Sequence, residues 1–239
     1  MRTLLYEGRD DVYIDAYYPE TAARPLPAVV ICPGGGYFLV GSTEGRPVSD
    51  KFTEAGYAAF ILHYTVGTEA AFGPGGFKDF APAQDLDAAM RLLHAKAYAF
   101  GVDPGRISVI GFSAGGHLCA AWAFSGAFKE AGLRTKAIIL SYPMRGGTDG
   151  DVIGSDGVDF DITRMQYTDD PAAKNTPTFL WHARDDQIVP FDTSEKLSAR
   201  FSAEGIPHTF FVCEHGIHAR PFYAPEWFFK AMEWLAAFG

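Results

Sequence analysis

The chain has no stretch of about 18 consecutive apolar residues, so no transmembrane helix is expected. Its first twenty residues, MRTLLYEGRDDVYIDAYYPE, contain neither an apolar h-region nor a small-residue cleavage site. No signal peptide is expected, and a cytoplasmic location is. Cysteine is scarce, at three in 239 residues. Cys32, Cys119 and Cys213 each sit in an apolar run, which argues for buried free thiols and against a disulfide scaffold. Basic residues are outnumbered, 20 Lys and Arg against 29 Asp and Glu, giving a formal net charge of -9. Such a surface repels phosphate backbones, so no nucleic acid partner is expected. There is no block of like charges, no internal repeat and no Ser/Gly linker, so residues 1–239 are read as one domain. Cys213, His215 and His218 lie close together, but no second ligand cluster accompanies them, so no metal is expected.

Forty-eight per cent of the residues are hydrophobic, enough for a sizeable core. Short apolar runs at 12–17, 28–32, 58–64, 107–111, 137–141, 178–182 and 208–213 read as strands, several of them covered on both faces. Helical periodicity appears at 49–55, 83–100, 115–124, 193–204 and 225–238. Asp103-Pro104 marks a turn ahead of a strand. Alternating strands and helices imply an α/β fold with a mostly parallel sheet of about eight strands and helices on both faces. Residues 144–175 break the rhythm: rich in Asp and Gly and weakly periodic, they read as a surface insertion or a lid. A second long loop covers 74–82.

The run RISVIGFSAGGHLCAAW contains Gly111-Phe112-Ser113-Ala114-Gly115, a serine between two glycines where a strand becomes a helix. The spacing has a steric reason. On a tight strand–helix turn the serine takes strained dihedrals, and a side chain at either glycine would strike the neighbouring backbone. The turn lifts the hydroxyl above the sheet edge at a helix N-terminus, where negative charge on a substrate oxygen is favoured.

A serine hydroxyl needs a histidine to take its proton and a carboxylate to hold that histidine's tautomer. Downstream, the strand ThrPheLeuTrpHis runs into a loop carrying Asp185 and Asp186, of which Asp186 is preferred. The last strand runs into Glu214-His215-Gly216-Ile217-His218. His218 is the preferred base, and His215 is read as a pocket residue. His117 and His182 are expected to bond locally or in the core, and His63 to sit at a strand end near the site. Acyl transfer also needs donors aimed at the developing oxyanion. The strand ending at Cys32-Pro33 is followed by Gly34-Gly35-Gly36-Tyr37, whose glycines let backbone N–H groups converge on a small anion. Gly35 and Gly36, with Ala114 after the nucleophile, are the expected donors. A Gly-x-Gly-x-x-Gly fingerprint is absent from this loop, which argues against a dinucleotide. Tyr37 and Phe38 are expected to shape the pocket. The aspartates of the insertion (Asp149, Asp151, Asp156, Asp159, Asp161, Asp169 and Asp170) are expected to disfavour anionic substrates.

Together, Pro33-Gly34-Gly35-Gly36-Tyr37, Gly111-Phe112-Ser113-Ala114-Gly115-Gly116-His117-Leu118, His182-x-x-Asp185-Asp186-x-x-Val189-Pro190 and the His218 loop resemble the α/β-hydrolase superfamily. Within it they resemble bacterial esterases of the acetyl esterase and acetylxylan esterase-like group. The resemblance implies Ser113 as nucleophile, Asp186 as acid, His218 as base, and backbone donors at Gly35, Gly36 and Ala114. It implies a serine carboxylesterase that needs no cofactor and cleaves short-acyl esters, above all acetyl groups of sugars or other small neutral molecules. The chain departs from the group in two places. Cys32-Pro33 precedes the glycines where a His-Gly-Gly-Gly run is usual in one large branch, and Ala219 follows the histidine where glycine is common. An arylformamidase-like amidase, a small peptidase and a non-catalytic binding protein on the same fold stay open. A homo-oligomer is compatible with the sequence.

Overall fold

The computed structural model describes residues 1–21, 23–73, 79–128, 133, 135–146 and 160–237. The strands are Arg2–Tyr6 (β1), Arg9–Tyr17 (β2), Leu26–Cys32 (β3), Ala58–His63 (β4), Val102–Phe112 (β5), Ile138–Ser141 (β6), Thr178–Ala183 (β7) and His208–Cys213 (β8). They form one sheet in the order β1-β2-β4-β3-β5-β6-β7-β8. β2 is antiparallel to both β1 and β4, and every later pairing is parallel. The helices are Arg46–Glu54 (α1), Thr68–Phe72 (α2), Ala81–Ala95 (α3), Ala97–Phe100 (α4), Ala114–Phe124 (α5), Pro171–Lys174 (α6), Asp192–Glu204 (α7) and Glu226–Ala236 (α8).

The period of two along the strands divides the core between the faces. Val30, Cys32, Phe60, Val109 and Leu140 pack with apolar residues of α3, α5 and α7. Val29, Ile31, Ile61, Ile110 and Ile139 pack with Val48 and Phe52 of α1 and Trp227, Phe228 and Leu235 of α8. α5 has no solvent face. All eleven of its residues are buried, as suits a segment in which His117 is the one ionisable ring among Gly, Ala, Leu, Cys, Trp and Phe. The helix that follows Ser113 is therefore held from every side, and burying a side chain such as Leu118 contributes about 2 kcal/mol. Among the described residues no helix is long and apolar enough to cross a membrane. The three cysteines are buried free thiols.

Each strand expected from the sequence is present. β1 is an addition: a short edge strand, half exposed, that the turn at Glu7-Gly8 joins to β2. β5 begins earlier than expected, at Val102. The Asp103-Pro104 turn survives as an excursion in its ladder, since Leu26 pairs with Val102 but Ala28 with Ile107, and Asp103 Oδ1 accepts from the Gly105 N–H. The helix expected over 83–100 is two helices, broken at Lys96. α2 and α6 are single turns too short to leave a period in the sequence.

The insertion is only partly a surface feature. Met144, Arg145 and Gly146 line a cleft, while Phe160, Ile162, Met165 and Tyr167 are buried in the core. The part on which a lid would rest, 147–159, lies outside the described residues, as do 74–78 of the second loop.

Candidate active site

Five adjacent strands, β3, β5, β6, β7 and β8, carry the site to one edge of the sheet. Cys32 of β3 pairs with Gly111 of β5, so the glycine loop after β3 lies beside the serine turn after β5 despite some eighty residues of separation in the chain. Phe112 pairs with Ser141 of β6, and Ser141 with Trp181 of β7. Ala183 at the end of β7 pairs with Cys213 at the end of β8, which sets the Asp185-Asp186 loop against the histidine loop.

Ser113 has φ 51 and ψ -116, left-handed backbone that costs a non-glycine residue about 1–3 kcal/mol. The flanking glycines are needed as the sequence implied. A Cβ at Gly111 would collide with the Gly115 carbonyl, and one at Gly115 with the Cys32 carbonyl. The Ser113 N–H donates to Ser141 O at 3.0 Å, and its carbonyl accepts from the N–H groups of His117 and Met144. All four described non-glycine residues with positive φ (Tyr37, Ser113, Tyr142 and Ala219) lie around this site. Ala219 at φ 59 explains why glycine suits the position after the histidine.

His218 Nε2 is 3.0 Å from Ser113 Oγ, and its Nδ1 is 2.8 Å from Asp186 Oδ2. The Asp186 side chain is buried and fully used. Oδ1 accepts from the N–H groups of Ile188 and Val189 at 2.8 and 3.0 Å, and Oδ2 also faces His182 Nε2 at 3.3 Å. Burial pushes its pKa up, but hydrogen bonds from His182, His218 and Ile188 and the charge of His218 outweigh burial, holding the carboxyl well below its usual range. His182, a core histidine as expected, thus also supports the Asp186 carboxylate. Its Nδ1 faces Ser194 Oγ at 2.8 Å. Asp185, the adjacent carboxylate, serves a different partner. Its two oxygens accept from His215 Nδ1 at 2.9 Å and the Gly216 N–H at 2.8 Å.

The glycine loop is anchored at its carbonyls. Pro33 O accepts from Tyr64 Oη at 2.6 Å, Gly34 O from the Gly41 N–H at 2.8 Å, and Gly35 O from the Phe38 N–H at 3.0 Å. The N–H groups of Gly35, Gly36 and Ala114 have no acceptor among the described residues, and Gly35 and Gly36 line the cleft beside Ser113. The cleft holds about 840 Å³ and is walled by Met144, Arg145, Ile188, Val189 and Thr193.

Two buried groups here escaped the sequence reading. Glu44 is 1% exposed and lines the cleft. Its Oε2 accepts from the Gly34 N–H at 2.6 Å and its Oε1 from Tyr142 Oη at 2.7 Å. Burial raises its pKa, while those two hydrogen bonds and the nearby His218 oppose the rise. Tyr142 sits just after β6 at φ 36, with its ring 4.8 Å from the His218 imidazole. A glutamate inside a Gly-Ser-Thr-Glu-Gly loop carries no sequence sign of burial; only the glycines around it hint at a close approach.

Four expectations need correction. Tyr37 does not line the cleft. It is buried, its hydroxyl 2.8 Å from Ala114 O and 2.7 Å from His117 Nδ1, because its positive φ turns the ring inward against Phe72 and Phe80. Phe38 is exposed and outside the cleft lining. His215 is mostly exposed, held by Asp185 away from the cleft. His63 ends β4 as expected but does not line the cleft; its ring stacks on Tyr13 of β2 at 4.1 Å. The insertion's charge also differs from expectation. Asp161 is buried and paired with Arg145 and Arg164, Asp170 caps α6, and Asp169 faces Lys174, so these aspartates do not give the cleft an acidic wall. Asp149, Asp151, Asp156 and Asp159 lie outside the described residues. Among the described residues no group of three or more His, Cys, Asp or Glu side chains could hold a metal ion.

His117, four residues after the serine, is fully buried, with Nε2 2.7 Å from Phe160 O. A proton on Nε2 donates there and leaves Nδ1 to face Tyr37 Oη. Burial lowers its pKa to about 4, against the opposing effects of the Phe160 carbonyl and Asp161. Above pH 6.5 the ring is neutral in both folded and unfolded chains. Between 6.5 and 4 the unfolded chain takes up a proton that the folded chain refuses, so stability falls as pH falls. The loss by pH 4 is expected to be on the order of 3 kcal/mol. Urea midpoints measured across this range should decline, and His117→Gln should flatten that part of the decline.

Residues 14–141 match the family described as BD-FAE. Among curated proteins, the chain is 25% identical over 205 residues to endo-1,4-beta-xylanase B of Butyrivibrio fibrisolvens, covering 80% of this chain and 32% of that one. It is 27% identical over 179 residues to the acetylxylan esterase of Xylanibacter ruminicola, covering 70% of this chain and 35% of that one. The chain thus spans about a third of the length of these curated relatives. Among solved structures, the acetyl ester-xyloside bifunctional hydrolase of Caldicellulosiruptor lactoaceticus superposes with a TM-score of 0.74 at 27% identity, over 99% of this chain and 96% of that one. With its eight-stranded, mostly parallel sheet and its family match over more than half its length, the chain has the α/β-hydrolase fold and belongs to the BD-FAE family.

Proposed function

We propose that this chain is a serine carboxylesterase that removes short acyl groups, acetyl foremost, from sugars or other small neutral molecules. The observation that carries the reading is the line from Asp186 Oδ2 through His218 to Ser113 Oγ, at 2.8 and 3.0 Å, beside three backbone N–H groups without acceptors among the described residues. His218 takes the Ser113 proton as Oγ attacks the ester carbonyl. The carbonyl oxygen, now an anion, is received by the N–H groups of Gly35, Gly36 and Ala114. His218 then protonates the leaving alcohol, and water attacks the acyl-enzyme by the same route. Asp186 holds the tautomer that puts the Nε2 lone pair toward Ser113 and stabilises the imidazolium. No cofactor enters these steps. Residues 1–239 act in this reading as a single domain, a reading supported by one sheet that carries all eight strands of the described residues.

The acetyl preference is supported by two similar proteins, an acetylxylan esterase and an acetyl ester-xyloside hydrolase. A cleft of about 840 Å³ is far larger than an acetyl group needs, which leaves room for a bulky leaving group such as a sugar. The test compares kcat/KM for p-nitrophenyl esters of increasing acyl length, an acetylated xylo-oligosaccharide and an N-formyl arylamine. Acetyl esters are expected to exceed long-chain esters and the formamide by about tenfold or more. A faster formamide turns the reading into an amidase. No turnover of any of them, with Ser113 also inert to a fluorophosphonate, turns it into a binding protein.

A further inference from the structure

Glu44 has no part in the proton transfers just described, yet it is a buried carboxylate at the reacting centre. Both its oxygens are committed, to the Gly34 N–H and to the Tyr142 hydroxyl. Gly34 opens the glycine loop, and its carbonyl is tied in turn to the Gly41 N–H, three residues before Glu44. Both polar groups of the Gly34 backbone are thus held by the 41–44 segment. The next two N–H groups, of Gly35 and Gly36, are left pointing at no acceptor among the described residues. Fit is close: a Cβ on Gly34 would lie 2.7 Å from Glu44 Oε2 and 2.9 Å from Ser113 Cβ. On its other side, Glu44 fixes the hydroxyl of the tyrosine whose ring lies against His218.

We propose that Glu44 is a positioning residue that clamps the Gly34–Gly36 loop as an oxyanion receptor and ties it, through Tyr142, to the ring beneath His218. The proposal rests on the reading of Gly35 and Gly36 as donors. The physical need is clear: a loop of three glycines has more backbone freedom to lose than any other sequence, and donors aimed at an oxyanion act only when preorganised. Two hydrogen bonds to a buried carboxylate supply that constraint from outside the loop.

The test uses the full chain with Glu44→Ala and Glu44→Gln. The amide can replace both bonds, its oxygen accepting from Gly34 and its NH₂ donating to Tyr142 Oη. For p-nitrophenyl acetate, Glu44→Ala should lose about 10²- to 10³-fold in kcat with KM changed only a few-fold, since the anion exists only in the transition state. Glu44→Gln should stay within about tenfold of wild type. Amide exchange read over 33–41 should speed up in Glu44→Ala and be restored in Glu44→Gln. Equal loss of kcat in both variants with the loop still protected overturns the clamp, because a charge rather than two bonds would then be what matters. An alanine variant with normal kcat and normal exchange overturns it too. If Glu44→Ala does not fold, a fall of more than about 100-fold in folded Glu44→Gln has the same meaning. A wild type inert to esters removes the esterase reading, while the exchange at Gly34 still decides whether the clamp exists.

Discussion

Ser113→Ala is expected to lower kcat for p-nitrophenyl acetate by roughly 10⁴- to 10⁶-fold, leaving only the residual rate that the backbone donors and substrate binding sustain. That is about 5–8 kcal/mol of transition-state stabilisation, too much for any hydrogen bond and consistent only with loss of the covalent path. The substitution isolates chemistry from folding. The Ser113 hydroxyl faces His218 Nε2, while the strained backbone is held by Ser141 O, the N–H groups of His117 and Met144, and the glycine contacts. Alanine meets the same φ penalty as serine, so the urea midpoint should be nearly unchanged. Initial rates on matched, folded protein decide. A variant that retains wild-type rate would reduce the serine to a turn residue, and the mechanism would fail at its first step.

Asp186→Asn should cost roughly 10⁴-fold in kcat, whereas Asp185→Asn should stay within about tenfold of wild type. The contrast follows from who faces each carboxylate. Asp186 is surrounded by donors only: His218 Nδ1, His182 Nε2, and the N–H groups of Ile188 and Val189. An asparagine NH₂ must oppose at least one of them. If it turns toward His218, Nδ1 must give up its proton to Nε2, the wrong tautomer for accepting from Ser113. A buried carboxylate with its pKa held low also stabilises the folded state at neutral pH, so this variant should unfold at lower urea too. Asp185 is half exposed and serves the outer part of the histidine loop. Asparagine there can still accept from the Gly216 N–H, losing chiefly the bond to the exposed His215. Measured side by side, the two variants assign the acid: a larger fall in Asp185→Asn would reverse the assignment.

Most of the architecture is legible in the sequence because it is written in local patterns. Continuous apolar runs mark strands covered on both faces, and Gly111, Ser113 and Gly115 mark a turn whose sterics leave few alternatives. The features that are not legible share a cause. β1 is an edge strand with one pairing partner and no fully buried side chain, so burial left only a faint imprint on RTLLY. The chain neighbours of Tyr37 suggest a pocket residue, but a positive φ sends its ring into the core, and no spacing rule reports that. His215 and His218 are both within reach of the serine on sequence grounds. The different carboxylates behind them, Asp185 and Asp186, separate their roles.

By itself the sequence determined an α/β fold, a serine turn, a glycine loop after a strand, and an aspartate and a histidine in the proper chain order. Each of these depends on residues near one another along the chain, where backbone sterics and periodicity act. Tertiary structure decided what depends on contacts between segments distant in the chain. β3 lies beside β5, which brings the glycine loop to Ser113. β6 separates β5 from β7, which inserts Tyr142 between the loop and the histidine. Glu44 became a buried carboxylate with two partners 10 and 98 residues away. Its burial is tolerable only because both donors are already in place, a condition met in space and nowhere in the local sequence.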